Sequence, residues 1–115
     1  MKEVFSISTL TGYQILHLKE IGYFEYDKEQ RIWKVVSIDQ KDFKLRRQTC
    51  AADIIASSPS FTQINQCIII NLLYLTCIED NTIILRPPFQ QPDTRVKMKL
   101  SRSYRKELNI HLLWL

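Results

Sequence analysis

Between residues 95 and 106 the chain carries six basic side chains, Arg95, Lys97, Lys99, Arg102, Arg105 and Lys106, and no acidic one. A run of this kind can follow a phosphate backbone, because each cation that neutralises a phosphate releases a condensed counterion. The plainer reading is a solvated face guarding an edge strand, where lysines are common. A second feature is the polar pair Asn65-Gln66, set between apolar pieces. An amide side chain presents a donor and an acceptor together, the pattern that reads adenine bidentately in a major groove. Its plainer reading is a turn with solvated amides.

Other chemistries find little support. His17 and His111 lie far apart with no local motif, and no serine or cysteine sits in a nucleophile signature such as GxSxG. Cys50, Cys67 and Cys77 lack the short spacings of a zinc site. They read as three small, mostly buried thiols. Two glycines cannot build a glycine-rich phosphate loop. Neither an enzyme nor a bound cofactor or metal is expected.

The elements that must position the basic run and the amide pair read mostly as short strands. Strand character appears at 4–9, 13–18, 21–26, 32–38, 43–47, 61–64, 68–71, 73–79 and 82–86, with polar turns at 27–30, 39–42 and 80–81. Residues 95–100 alternate basic and apolar side chains, which predicts a tenth strand with a cationic outer face. Two helices are predicted. One spans about 49–57, with Thr49 as its N-cap and Ser57 to Ser60 ending it. The other spans about 102–113 behind Ser101, with Tyr104, Leu108, His111 or Leu112, and Leu115 near one face. Residues 89–93 read as an exposed loop, and most aromatic side chains as core.

The chain has 115 residues, 45% of them apolar, enough for one domain (1–115) and one core. The net charge of +4 favours a polyanionic partner only weakly. Acidic residues gather in 20–42 and at Glu79-Asp80, away from the basic run. An odd cysteine count fits a reducing cytoplasm. No signal peptide is expected, since Lys2 and Glu3 lead directly into a strand-like run, and the apolar stretches are too short to span a membrane.

Three stretches carry a resemblance to a known family. Residues 16–25, LHLKEIGYFE, resemble the early segment of LytTR-type DNA-binding domains, the output modules of many bacterial response regulators. Residues 61–71, FTQINQCIIIN, are similar to that family's central F-x-[RQ]-[VI]-[HN]-[RK]-S-x-[IL]-[VI]-N pattern. Residues 100–108, LSRSYRKEL, are similar to its closing V-S-R-x-Y-x-K-x-[LF] motif. The three stand in the family's order and at its spacing.

The resemblance implies an elongated, mainly β architecture of about ten short strands in small antiparallel sheets, and no enzyme. It implies a cytoplasmic regulator that binds duplex DNA through loops entering successive major grooves, at direct-repeat sites that a homodimer would occupy. A receiver domain or a sensor-kinase pathway is the implied upstream partner, and no membrane is involved. By position, the resemblance assigns base contacts to Arg31, Asn65, Gln66, Arg102 and Ser103. It assigns phosphate or supporting roles to Lys28, Gln63, Lys99, Ser101, Arg105 and Lys106, with Cys67 nearby. The chain departs from the pattern at Gln66, where a basic residue is usual, at Cys67 in place of serine, and at Ser103 in place of an arginine. Glutamine for arginine would turn preference from guanine towards adenine. The same losses, with the apolar tail 110–115, motivate an alternative: a degenerate domain of this type acting as a protein-interaction module.

Overall fold

The computed structural model describes residues 3–115. Among these residues the strands are β1 (Val4–Ser8), β2 (Tyr13–His17), β3 (Ile21–Asp27), β4 (Ile32–Ser37), β5 (Asp42–Lys44), β6 (Phe61–Asn65), β7 (Ile68–Asn71), β8 (Leu75–Glu79) and β9 (Thr82–Leu85). The helices are α1 (Ala51–Ser57), α2 (Pro92–Lys97) and α3 (Arg102–His111). A five-stranded sheet in the order β5-β4-β3-β7-β6 forms the middle layer, and the hairpins β1-β2 and β8-β9 are separate two-stranded sheets. The strand pairs are antiparallel. The fold is thus mainly β in small antiparallel sheets, in an oblong of 42 × 34 × 25 Å.

The period of two along each strand divides the core. Register places Phe24 beside Val35 and Ile69, and Tyr23 beside Ile70. Phe24, Val35 and Ile69 join Phe5, Leu16, Ile54 and Phe61 in one cluster, closed by the β1-β2 hairpin and α1. Tyr23, Ile68 and Ile70 join Ile83, Leu85, Phe89, Met98, Leu100 and Leu108 in the other, closed by β8-β9 and α3. Both sides of β7 are covered, which is why Ile68, Ile69 and Ile70 run without a polar break.

Two residues fix the lower end of this sheet, where β3 begins and β7 ends. Asn71 is fully buried. Its Nδ2 donates to the carbonyls of Leu18 (3.0 Å) and Ile21 (2.8 Å), and its Oδ1 accepts from the Leu73 N–H (3.1 Å). Gly22 sits at a bulge in the β3-β4 register. A Cβ there would lie 2.2 Å from the ring of Phe89. That ring is buried and packed edge-on against Tyr23 and Tyr74, so it has little room to withdraw.

Several expectations need correction. Residues 95–100 are not a strand: Pro92 opens α2, Asp93 stands in its first turn and Met98 is its C-cap. Proline suits the first helical position because its missing N–H is not needed there. What remains of the strand is one bridge, Thr82 to Lys99. Phe89 does not lie in an exposed loop but is 2% exposed in the second cluster. Helix α1 begins at Ala51 with Cys50, not Thr49, as N-cap. Asp53 Oδ2 accepts from the Cys50 N–H at 2.9 Å, supplying the start signal that Thr49 was expected to give. Helix α3 ends at His111, short of 113. Residues 72–74 form a 3-10 turn before β8. The thiols are not mostly buried: Cys50 is exposed, and Cys67 and Cys77 are half-buried. Tyr13 and Trp114 are exposed aromatics outside the core.

Candidate nucleic-acid interface

Antiparallel pairing of β3 with both β4 and β7, and of β7 with β6, brings three connections to the upper end of the central sheet. They are the β3-β4 loop (28–31), the β6-β7 turn (66–67) and the start of α3 (101–106). The Tyr26 N–H donates to the Cys67 carbonyl at 2.8 Å, tying the first connection to the second. The Ser101 N–H donates to the Ile64 carbonyl at 2.8 Å, tying the third to β6. Asp27 organises the first loop by accepting from the N–H groups of Glu29 (2.9 Å) and Gln30 (3.1 Å). These bonds, first that from Gln30, hold the Asp27 carboxyl below its ordinary range. Arg31 closes the loop in a left-handed conformation (φ 56°).

Lys28, Asn65, Gln66, Cys67, Ser101, Ser103 and Tyr104 line one open cleft at this end. Asn81, Leu100, Ser101, Arg102 and Arg105 line a second hollow. The two share Ser101, and neither lining includes a carboxylate. Lys28, Gln66, Arg102, Ser103, Arg105 and Lys106 are exposed. Arg105 Nη1 donates to the side chain of Asn81 in the β8-β9 turn at 3.0 Å, which fixes the direction of its guanidinium.

Asn65, by contrast, is engaged within the molecule. Its Nδ2 donates to the carbonyls of Lys97 (3.3 Å) and Lys99 (2.8 Å), and its Oδ1 accepts from the Cys67 N–H (2.8 Å). Gln66 beside it is exposed, in the turn between β6 and β7.

The basic run divides. Lys97 Nζ lies 3.0 Å from the Glu25 carboxylate, which also stands 3.9 Å from Lys34. The bond to Glu25 raises the Lys97 pKa, with burial opposing it. Lys99 Nζ donates to Thr82 at 2.7 Å, and with Arg95 it lines a hollow that also holds Glu79 and Asp80. Arg102, Arg105 and Lys106 on α3 are the part of the run that stands at the upper end. Of the other sequence candidates, Arg31 shares the β3-β4 loop with Lys28 but lines neither hollow, and Gln63 is half-buried in β6 opposite Ile69.

Sequence reasoning overlooked Asn81 and Arg47. Arg47 Nη1 donates to the Gln30 carbonyl at 2.8 Å and so buttresses the β3-β4 loop. The Asp80-Asn81 turn, with both residues at positive φ, was visible as a turn but not as the partner of an arginine 24 positions on.

The titratable groups elsewhere describe caps and packing. The Asp53 carboxyl is lowered by the Cys50 N–H. Burial raises the Tyr23 phenol, and burial together with Glu79 raises the Cys77 thiol. Among the described residues no three His, Cys, Asp or Glu side chains gather as a metal site. No described helix is long and apolar enough to cross a membrane.

No family model matches the sequence. No curated protein matches it either. A search of solved structures finds the LytTr DNA-binding domain of a putative methyl-accepting/DNA response regulator from Bacillus cereus, superposing with a TM-score of 0.65 over 99% of this chain and 100% of that one, at 17% identity. The chain therefore has the fold of a LytTr DNA-binding domain.

Proposed function

We propose that this chain is a transcriptional regulator that binds duplex DNA, with the upper end of the central sheet turned to the double helix. The observation that carries the reading is the convergence of Lys28, Gln66, Ser101, Ser103, Arg102 and Arg105 around two adjoining hollows lined without a carboxylate. The likeness of the fold to a domain described as DNA-binding supports it. An open, shallow surface with cations and amides suits a polyanion better than it suits a small ligand, which needs an enclosed and mostly apolar pocket.

The roles divide by chemistry. Gln66, at the tip of the β6-β7 turn, offers a donor and an acceptor to one base edge, and adenine is the base that matches both. Arg102 and Ser103 at the head of α3, and Arg31 on the β3-β4 loop, reach for further bases. Lys28, Ser101, Arg105 and Lys106 contact phosphates, and the positive end of the α3 dipole adds to their attraction. Gln63 and Lys99 support them from β6 and from the segment before α3. Two copies on a direct repeat, driven by a receiver domain or sensor kinase, complete the proposal.

The test is selection of a randomised duplex library on the purified protein, followed by salt titration on the enriched site. Enrichment of an adenine-containing repeat, with log affinity falling linearly against log salt by roughly 0.9 per phosphate contacted, supports the reading. Weak binding to every duplex without enrichment refutes specific recognition. It would favour a protein partner for the exposed apolar residues Ile110, Leu113, Trp114 and Leu115.

A further inference from the structure

We infer that Asn65 is a positioning residue rather than a base reader: its side chain clamps the segment between α2 and α3 to the β6-β7 turn, and so sets where the cations of α3 stand relative to Gln66. The inference rests on the DNA-binding reading above and deepens it.

A primary amide has two N–H donors and one carbonyl acceptor. Both donor directions of Asn65 go to backbone carbonyls, those of Lys97 and Lys99, and the acceptor takes the N–H of Cys67. Bidentate reading of adenine needs one donor and one acceptor aimed outward together. Asn65 could provide them only by releasing carbonyls 32 and 34 positions away in sequence.

The partners show what the clamp holds. Lys97 ends α2, Lys99 precedes the start of α3 by three residues, and Cys67 follows Gln66 directly. One side chain therefore joins the strand end that presents Gln66 to the backbone that delivers Ser101, Arg102 and Arg105. Neighbouring bonds act in the same sense: the Ser101 N–H donates to Ile64, the Leu100 N–H donates to the Asn81 carbonyl at 2.7 Å, and Lys97 pairs with Glu25. The chain uses the same device at Asn71, whose amide also donates to two distant carbonyls and accepts from the N–H two residues ahead. Asn71 is fully buried at the lower end of the sheet, where no interface residue lies.

The variants Asn65→Ala and Gln66→Ala of the 115-residue chain separate the two roles. Hydrogen exchange on the free protein comes first. Asn65→Ala should speed exchange at the amides of Leu100 and Ser101 while those of Ile68 to Ile70 stay protected, and Gln66→Ala should leave both sets unchanged. Binding to the selected duplex comes second. Asn65→Ala should weaken binding about tenfold, the scale of one or two lost hydrogen bonds. It should lower the salt slope by roughly one, the value of one displaced cation, and leave the pattern of preferred bases intact. Gln66→Ala should relax preference at one base position with its salt slope unchanged. Asn65→His, which keeps a donor, should restore part of the slope.

Unchanged exchange at Leu100 and Ser101 in Asn65→Ala overturns the clamp whatever the duplex does. Loss of preference at a single base with an unchanged salt slope overturns it too, and makes Asn65 a reader. If the unsubstituted chain selects no duplex, the DNA-binding reading falls by itself, and the exchange result alone upholds or overturns the clamp.

Discussion

The two ends of the β6-β7 hairpin use one piece of chemistry in two environments. At the lower end Asn71 holds the carbonyls of Leu18 and Ile21 with no exposure at all. At the upper end Asn65 holds Lys97 and Lys99 with part of its side chain open to solvent. An unpaired carbonyl costs far more where water cannot reach it. The lower amide is therefore chiefly a matter of stability, and the upper one chiefly a matter of where nearby side chains stand. The surroundings repeat the contrast: Gly22, Phe89 and Tyr74 pack the lower end, whereas lysines, arginines and serines surround the upper one.

That contrast can be broken or sharpened by substitution. The largest effect is expected from Asn71→Ala, which strands two buried carbonyls and should cost about 3 kcal/mol of unfolding free energy, against about 1 kcal/mol for Asn65→Ala. Chemical denaturation of the two variants measures the difference, and equal losses would abolish the distinction between the ends. Next comes Gly22→Ala. The added methyl meets the held ring of Phe89, and overpacking of this kind costs about 2 kcal/mol. Gly22→Ala in a Phe89→Leu background should recover part of that loss in the same denaturation series. No recovery would mean that backbone, not the ring, sets the limit.

Smaller effects belong to the upper end. Lys97→Met removes an ion pair whose lysine is 46% exposed and whose carboxylate, 18% exposed, keeps Lys34 nearby, and should change stability by about 1 kcal/mol or less. It should weaken duplex binding less than Arg102→Met does, because Glu25 already neutralises Lys97. The reverse order in a binding titration would place Lys97, not α3, at the phosphates. The smallest effect is a response to acid. Asp27 has a folded pKa below its unfolded value, so its contribution is present above the unfolded pKa and is lost as pH falls through the folded one. Protection of the Glu29 and Gln30 amides, measured as exchange relative to the intrinsic rate at each pH, should fall in that window, and Asp27→Ala should remove this change. A flat profile would show that the loop keeps its shape without the carboxylate.

The strands were legible because period-two alternation and polar turns such as 27–30 are local signals. Even so, Ile68 to Ile70 could be called a strand only because its length was short, since a run buried on both sides shows no period. Helix α2 is hard to read in sequence for a related reason. Over six residues, alternating charge and apolarity fits a strand or an exposed helix, and the stronger sign is Pro92, which opens the helix. Phe89 reads as part of an exposed loop because its covering partners, Tyr23 and Tyr74, are remote in sequence. At the site, residue types at 65–66 and 101–106 marked a polar, cationic surface. The different environments of Asn65 and Gln66 are invisible in sequence, because only the folded chain brings the carbonyls of Lys97 and Lys99 to one amide and leaves the next amide in solvent.

The most direct test of the account is an NMR titration of the chain with its selected duplex, following every backbone amide. The largest shifts should fall at 28–31, 66–67 and 101–106, with the β1-β2 hairpin and the region around Asn71 unmoved. Shifts centred on β1-β2 or on the tail 112–115, with the upper end silent, would contradict it.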